Sequence, residues 1–327
     1  MTMTQKRKSH LALVAGVLGV LLVAASVTVG VADLTWSDLF GPHRDQALTL
    51  LLDSRLPRTL ALVMAGSAIA VSGVVMQMLM RNRFVEPTTA GTVEAAQLGI
   101  LGVTLLAPGL PIFARMLVAA GFALAGTALF LALLRAIPLR SAATVPLVGL
   151  MLGNVIGAAN GFIAYRFDMT QSLAAWTTGD FSTVLRGRYE LLWIGAGASV
   201  LIYLTADRFT LAGLGQDLST NLGLPFRRVL WGGLAAVALV TASVLVSIGV
   251  IPFLGLVVPN LVSLVLGDNL RRSLPYVAFA GASLALFCDI AGRLLIYPFE
   301  IPIGTVMGVV GSAIFLFLIN RRPAYAG

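Results

Sequence analysis

Long apolar stretches alternate with short polar connections along the whole chain. A helix needs roughly 20 apolar residues to cross the hydrocarbon core of a bilayer. The pattern predicts ten membrane helices, over Leu11–Ala32, Thr59–Met80, Thr88–Ala107, Met116–Leu134, Ala143–Tyr165, Leu191–Ala206, Val229–Ile248, Leu254–Gly267, Leu274–Ile296 and Ile303–Asn320. No polar connection is long enough to hold a soluble domain, so we expect an all-α membrane protein with one transmembrane domain over residues 1–327.

Two of these helices come from dividing a single uncharged run, residues 229–267. A helix rises about 1.5 Å per residue, so this run is too long for one crossing. Pro252 and Pro259 lie within it, and proline interrupts the helical hydrogen-bond ladder. We therefore expect one full helix that ends at Ile248 and a shorter helix that begins at Leu254.

The composition agrees with a membrane protein. Hydrophobic residues make up 58% of the chain and charged residues 11%, whereas roughly a quarter of the residues are charged in soluble domains. Cys288 is the only cysteine, which excludes a secreted disulfide scaffold. The sequence pI is near 10.4, but the basic residues form short clusters between apolar stretches. That arrangement is typical of membrane topology rather than of a nucleic-acid-binding face.

The orientation in the membrane follows from the basic residues. The first stretch follows Lys6-Arg7-Lys8 as a signal peptide would, but it is longer than a signal peptide's apolar core, so we expect a retained helix. Ten crossings then place both termini on one side. That side receives fourteen of the basic residues and the other side receives eight. The positive-inside rule therefore predicts cytoplasmic termini.

Residues for catalysis are scarce in this sequence. No lysine follows Lys8, so the chain lacks the lysine that a phosphate-binding loop needs for ATP. His10 and His43 lie at or outside the predicted membrane boundary, and neither has a partner at metal-ligand spacing. We expect no enzyme activity, no cofactor and no metal site in this chain.

Ionisable residues within membrane spans are candidates for function. Glu94 lies in the third predicted span and Asp289 in the ninth. Arg293 follows Asp289 by four residues, so the two side chains share a helical face and form a self-neutralising pair in one interpretation. An ion-coupled secondary carrier usually has more acidic or unwound-helix machinery at mid-membrane. The carrier stays an alternative hypothesis.

The predicted cytoplasmic connection Asp207–Arg228 contains a short capped helix at about residues 216–223. Asp217 lies in its first turn, where the helix dipole favours negative charge. Leu218 and Leu222 lie four residues apart on one face. Gly223 supplies the left-handed C-terminal position. The exposed apolar edge suits a groove on another protein, or alternatively a position on the lipid surface.

The chain resembles, nearly end to end, the permease subunits of binding-protein-dependent ATP-binding-cassette importers for iron–siderophores, haem and vitamin B12. The segments that carry the resemblance are Arg55-Leu56-Pro57-Arg58, Gly66 to Gln77, Arg81-Asn82, Trp176-Thr177-Thr178-Gly179, Leu222-Gly223, Phe253-Leu254-Gly255-Leu256-Val257-Val258-Pro259, Asp289-Ile290-Ala291-Gly292-Arg293-Leu294 and Pro302-Ile303-Gly304. The resemblance implies a type II importer permease fold with ten helices per subunit. It also implies a dimer of permeases, two cytoplasmic ATPases and an external substrate-binding protein.

The resemblance also assigns roles to residues. The coupling helix that enters a groove on the ATPase would comprise Asp217, Leu218, Thr220, Asn221, Leu222 and Gly223. The cytoplasmic gate would contain Asn82 and Phe84. By the same resemblance, Arg55, Arg58 and Arg293 would receive acidic residues from the binding protein. External arginines also oppose the predicted topology, which an acidic partner would explain; snorkelling to lipid phosphates, or the pairing of Arg293 with Asp289, are the alternatives.

The sequence departs from the family's pattern at two positions. Relatives often have proline where Arg83 stands and histidine where Asn260 stands. A subgroup of permeases for catecholate-type siderophores, petrobactin among them, has asparagine at the position of Asn260. It also shares Gly267-Asp268-Asn269-Leu270-Arg271 and Tyr297-Pro298. Such permeases usually pair as two different chains, so we expect a heterodimer.

The sequence thus predicts a permease that imports ferric siderophore, of catecholate or mixed type, across the cytoplasmic membrane by alternating access. The same machinery carrying haem or cobalamin is the first alternative, and an ion-coupled carrier is the second. The expected partners are ATPase subunits, a binding protein, a second permease chain and membrane lipid, but not nucleic acid.

Overall fold

The computed structural model describes residues 5–30, 44–137, 144–267 and 269–321. Each of the ten predicted spans corresponds to a helix. These helices are α1 (Gln5–Thr28), α3 (Leu56–Leu79), α4 (Thr92–Leu106), α5 (Ile112–Ala136), α6 (Thr144–Arg166), α8 (Leu192–Leu204), α11 (Phe226–Ile248), α12 (Leu254–Leu266), α13 (Leu270–Leu295) and α14 (Ile303–Arg321). The all-α fold expected from the sequence is confirmed.

Four short helices lie in the connections between these spans. They are α2 (Arg44–Leu50), α7 (Thr170–Thr177), α9 (Ala206–Ala212) and α10 (Gln216–Asn221). The connection between the first two predicted spans, residues 33–58, is helical from Arg44 onward, and a π-helical turn, Leu51–Arg55, joins α2 to α3. The rest of that loop, up to residue 43, lies outside the described residues.

Six of the described helices are long and apolar enough to cross a membrane, counting α2, the π-helical turn and α3 as one. The described apolar part of α1, together with α4, α8 and α12, is shorter, at 10–17 residues. The division of the run 229–267 is correct, since α11 ends at Ile248 and α12 begins at Leu254. Pro259 lies inside α12 without ending it.

Helix α3 forms the centre of the protein and is buried along almost its whole length. It packs against α8, α11, α12 and α13. Glycines make these contacts close. A Cβ atom on Gly66 would lie 2.7 Å from the carbonyl oxygen of Gly281 in α13, and one on Gly73 would lie 2.0 Å from that of Gly255 in α12. Backbones approach each other in this way where membrane helices present small residues.

Helices α4, α5 and α6 pack beside this centre. One face of α6 exposes large apolar side chains, among them Leu147, Met151, Val155 and Phe162. An apolar face of this kind is stable in lipid or against another membrane helix, because neither exposes it to water.

Candidate functional site

The connection that the sequence predicts to be cytoplasmic, Asp207–Arg228, contains a compact unit of α9 and α10. Ser219 is buried, and its Oγ donates to the carbonyl oxygens of Leu211, at 2.6 Å, and Gly215. Gly223 has φ +82°, and the N–H of Leu224 donates to the backbone carbonyl oxygen of Ser219 at 2.9 Å. The predicted glycine-terminated helix is therefore present, although its last helical residue is Asn221.

The predicted coupling residues all lie on the exposed side of this unit. Leu218 is 57% exposed and Leu222 is 62% exposed. The other four predicted residues are also exposed: Asp217, Thr220, Asn221 and Gly223. Two exposed leucines beside a negative charge and hydroxyl and amide groups form a small surface that can insert into a groove.

The predicted gate residues lie in the connection between α3 and α4. We call residues 80–91 the gate segment. Asn82 is buried, and its Oδ1 accepts the N–H of Phe84 at 2.8 Å. The Phe84 ring meets the Phe315 ring of α14 edge to face, with centroids 6.0 Å apart. The structure thus brings the two predicted residues together in one turn.

The two departures from the family pattern, Arg83 on this turn and Asn260 in α12, contact each other. Asn260 of α12 donates through Nδ2 to the carbonyl oxygen of Arg83 at 2.9 Å. A cavity of about 350 Å³ lies beside them, and Arg81, Asn82 and Ser263 are among its lining residues. The gate segment therefore borders a polar space at its junction with α12.

A cluster of four charged side chains joins α3, α13 and the connection before α14. Asp289 is at its centre: Oδ1 accepts from Arg58 Nη2 at 2.8 Å, and Oδ2 accepts from Arg293 Nε at 2.8 Å. Arg58 also donates through Nη1 to Glu300 Oε2 at 2.7 Å. Asp289 and Arg293 are 3% and 5% exposed, so this cluster is an internal one.

Two of the three predicted docking arginines, Arg58 and Arg293, belong to this cluster. The three arginines differ in exposure. Arg293 also donates to the carbonyl oxygens of Ser26, at 2.9 Å, and Val29, at 2.7 Å. Arg55 is 6% exposed and donates to carbonyl oxygens at the end of α1. The Arg58 side chain is 13% exposed and is the most accessible of the three.

The pairing of Asp289 with Arg293 was visible in the sequence through their spacing, and the structure contains it. Sequence spacing could not show that Arg58 and Glu300 belong to the same cluster. Arg58 lies 231 residues from Asp289 and 242 residues from Glu300. Glu94 lies in the first turn of α4, against Gly153 of α6. Among the described residues, no group of three or more His, Cys, Asp and Glu side chains could hold a metal ion.

The chain is similar over nearly its full length to several bacterial permeases. It is 48% identical over 310 residues to the petrobactin import system permease protein YclN of Bacillus subtilis (strain 168), covering 95% of this chain and 98% of that one. It is 40% identical to the ferric-anguibactin transport system permease protein FatD of Vibrio anguillarum, covering 93% and 96%. It is 30% identical to the vitamin B12 import system permease protein BtuC of Vibrio vulnificus, covering 97% and 96%.

The fold is similar to that of a solved structure described as an inward-facing conformation of a metal-chelate type ABC transporter. The TM-score is 0.77, with 23% identity, over 94% of this chain and 97% of the other. Residues 13–321 match the FecCD transport family. With 48% identity to one permease and a family match from the first helix to the last, the chain belongs to the FecCD transport family.

Proposed function

We propose that this chain is a transmembrane permease subunit of an ATP-binding-cassette importer for ferric siderophores. The observation that carries the proposal is the similarity, at 40–48% identity over at least 93% of the chain, to permeases named for petrobactin and ferric anguibactin. The vitamin B12 permease is 30% identical, which favours an iron chelate over cobalamin as the transported compound.

Transport proceeds by alternating access. Two permease chains enclose the path, and ATP binding by the partner subunits reverses which side is open. The heterodimer is favoured because the sequence has the features of the catecholate subgroup. The exposed apolar face of α6 supports a membrane position beside lipid or a second permease. Both termini lie in the cytoplasm, as the distribution of basic residues indicates.

The energy comes from ATPase subunits that bind α10. Its surface suits this role because Leu218 and Leu222 are exposed although each is large and apolar. Ser219 fastens the helix to the end of α9 through its hydrogen bond to the Leu211 carbonyl oxygen. A displacement of α10 by the ATPase is therefore transmitted to α9 and the rest of the connection.

The binding protein docks on the opposite face through arginine–carboxylate pairs. Arg58 is the best placed of the three arginines, since its side chain is the most exposed. Glu300 is the more exposed of its two partners, with 21% against 2% for Asp289. An incoming carboxylate therefore exchanges with Glu300, while Asp289 keeps the guanidinium in place.

Docking can be tested with Arg58→Gln, which removes the charge without adding a repulsive one. Charge pairs at the edge of an interface govern mainly the association rate. We expect the association rate of the binding protein to fall about tenfold at low salt, and the difference from wild type to shrink as salt screens it. Arg188→Gln is the matched control. Arg188 is exposed in the connection between α7 and α8, which is predicted to lie on the outer side of the membrane, as Arg58 is. Equal rates for both variants would contradict the docking role of Arg58.

The substrate can be tested in a complex reconstituted in nanodiscs from both permeases, the ATPase and the binding protein. ATP hydrolysis is measured with ferric catecholate, ferric hydroxamate, haem and cobalamin, each saturating the binding protein. We expect the ferric catecholate to stimulate hydrolysis most. Stimulation by haem or cobalamin alone would favour the corresponding alternative importer.

A further inference from the structure

Helix α12 begins inside the protein and has no capping side chain of its own. Its N-cap residue, Phe253, has φ +64° and ψ −13° and makes no side-chain capping bond. Phe253 lies against Gly311, in the middle of α14. The first N–H groups of a helix have no partners within the helix, and the residues of this first turn are buried from water. An acceptor must come from another part of the chain.

Glu86 of the gate segment supplies that acceptor. Its Oε1 accepts the N–H of Phe253 at 3.0 Å, across a separation of 167 residues. Its other oxygen, Oε2, has no hydrogen-bond partner among the described residues and would lie 3.0 Å from a Cβ atom on Gly255, the second residue of α12. Glu86 is 1% exposed. The helix dipole favours the charged carboxylate there, whereas burial, which has the largest effect, raises the pKa of Glu86 to about 7.

The carboxylate is held in place from its own side of the contact. Thr88 donates through Oγ1 to Glu86 Oε1 at 2.6 Å. The N–H of Glu86 donates to Thr89 Oγ1 at 2.9 Å, and the Glu86 side chain accepts the N–H of Thr89. This reciprocal capping fixes the short 3-10 turn Pro87–Thr89. Glu86 therefore has little freedom to follow α12 unless the gate segment moves with it.

Further contacts run from the gate segment along α12. Asn260 binds the carbonyl oxygen of Arg83 at 2.9 Å. Phe84 and Phe253 both pack on Phe315, with ring centroids 6.0 and 6.5 Å apart. Of these contacts, that of Glu86 is the one in which a side chain accepts a backbone N–H at the start of α12.

We propose that Glu86 is a positioning residue that locks the gate segment to the N-terminus of α12, so that the two move as one body when the permease changes state. This inference rests on the proposed function, since it assumes that the gate segment moves during transport. Without the carboxylate the first turn of α12 loses its cap, and movement of the gate segment no longer carries α12 with it.

The test compares Glu86→Ala and Glu86→Gln in the full importer complex. Glutamine keeps an oxygen that can accept the Phe253 N–H, whereas alanine does not. Hydrogen exchange of the first-turn amides of α12 should become about tenfold faster in Glu86→Ala, the scale of a lost helix cap, and much less so in Glu86→Gln. Glu94→Gln is the matched control, because Glu94 is a half-buried carboxyl that faces α6 instead.

A second measurement separates positioning from stability. Exchange is recorded with and without ATP and vanadate, which trap the nucleotide-bound state. In wild type, the gate segment and the first turn of α12 should change together; in Glu86→Ala, the gate segment alone should change. Joint change that persists in Glu86→Ala, even with a lower melting temperature, would mean that the residue only stabilises the fold and would overturn the proposal.

Transport supplies the functional measurement. The amount of ferric chelate moved per ATP hydrolysed should fall about fivefold in Glu86→Ala and recover in large part in Glu86→Gln, on the scale of one ordinary hydrogen bond. An unchanged ratio in Glu86→Ala would overturn the proposal. A wild-type complex that moves no ferric chelate would refute the proposed substrate, whereas the exchange experiment would still decide the role of Glu86.

Discussion

Replacing Asp289 with alanine should destabilise the fold far more than breaking an exposed ion pair. Asp289 is 3% exposed and is the acidic partner of both Arg58 and Arg293. Removing one member of a buried ion pair costs about 3–5 kcal/mol, because the other charge is left without compensation. Arg58 keeps Glu300 at 2.7 Å, so only Arg293 loses its acid partner. We therefore expect the lower end of that range, about 3 kcal/mol.

The assay is unfolding of the purified permease in mixed micelles by titration with SDS, followed by circular dichroism. Asp53→Ala is the control, since it removes an exposed pair with Arg186 at 3.8 Å, with side chains 50% and 74% exposed. That change should cost less than about 1 kcal/mol. The double variant Asp289→Ala/Arg293→Ala should be more stable than Asp289→Ala alone, because the uncompensated charge is gone.

Charge compensation by Asp289 would be refuted if Asp289→Ala lowered the free energy of unfolding by no more than Asp53→Ala does. It would also be refuted if Arg293→Ala, added to Asp289→Ala, lowered the free energy of unfolding further. Either result would mean that the buried cluster contributes through its packing and carbonyl contacts rather than through charge compensation.

Two further predictions concern the coupling helix and the helix crossings. Leu222→Asp should weaken binding of the ATPase about tenfold or more, because a charge replaces an apolar anchor. Co-purification of the ATPase with the permease measures the binding, and Leu185→Asp, on the side of the membrane predicted to lie opposite α10, is the control. Normal assembly of Leu222→Asp would rule out α10 as the ATPase-binding surface. Gly73→Ala should lower the free energy of unfolding by about 1–3 kcal/mol, because the added Cβ would lie 2.0 Å from the backbone of α12. A Cβ on Gly102 would have no atom of another described segment within 4 Å, so Gly102→Ala should be neutral or stabilising in the same SDS titration. Equal loss in both variants would contradict the crossing geometry.

The sequence predicted a helix at each of the ten apolar spans correctly, because each span contains a continuous apolar run. The ends were less accurate where polar residues continue a helix. Helix α13 begins at Leu270 rather than Leu274, although Arg271 and Arg272 lie in its first turn. An asparagine cap allows this: Asn269 Oδ1 accepts the N–H of Arg272 at 3.1 Å. Hydropathy detects the apolar part of a helix and not its capped polar extension.

The short helix α10 was predictable because its signals are local. Gly223 and the exposed leucines all lie within one short segment of the sequence. The cap on α12 was not predictable in this way. Glu86 lies in a connection, outside every predicted helix core, and its partner Phe253 is 167 residues away. A carboxylate that satisfies a distant helix leaves no periodic or spacing signal, so only the folded structure connects the two.

The proposed function of this chain is import of ferric siderophore at the expense of ATP. It is tested by uptake of ferric catecholate siderophore into proteoliposomes that contain the complex, with the binding protein outside and ATP enclosed. We predict that iron accumulates only when both ATP and the binding protein are present. Uptake driven by a proton gradient without ATP, or no uptake of iron while cobalamin or haem enters, would contradict it.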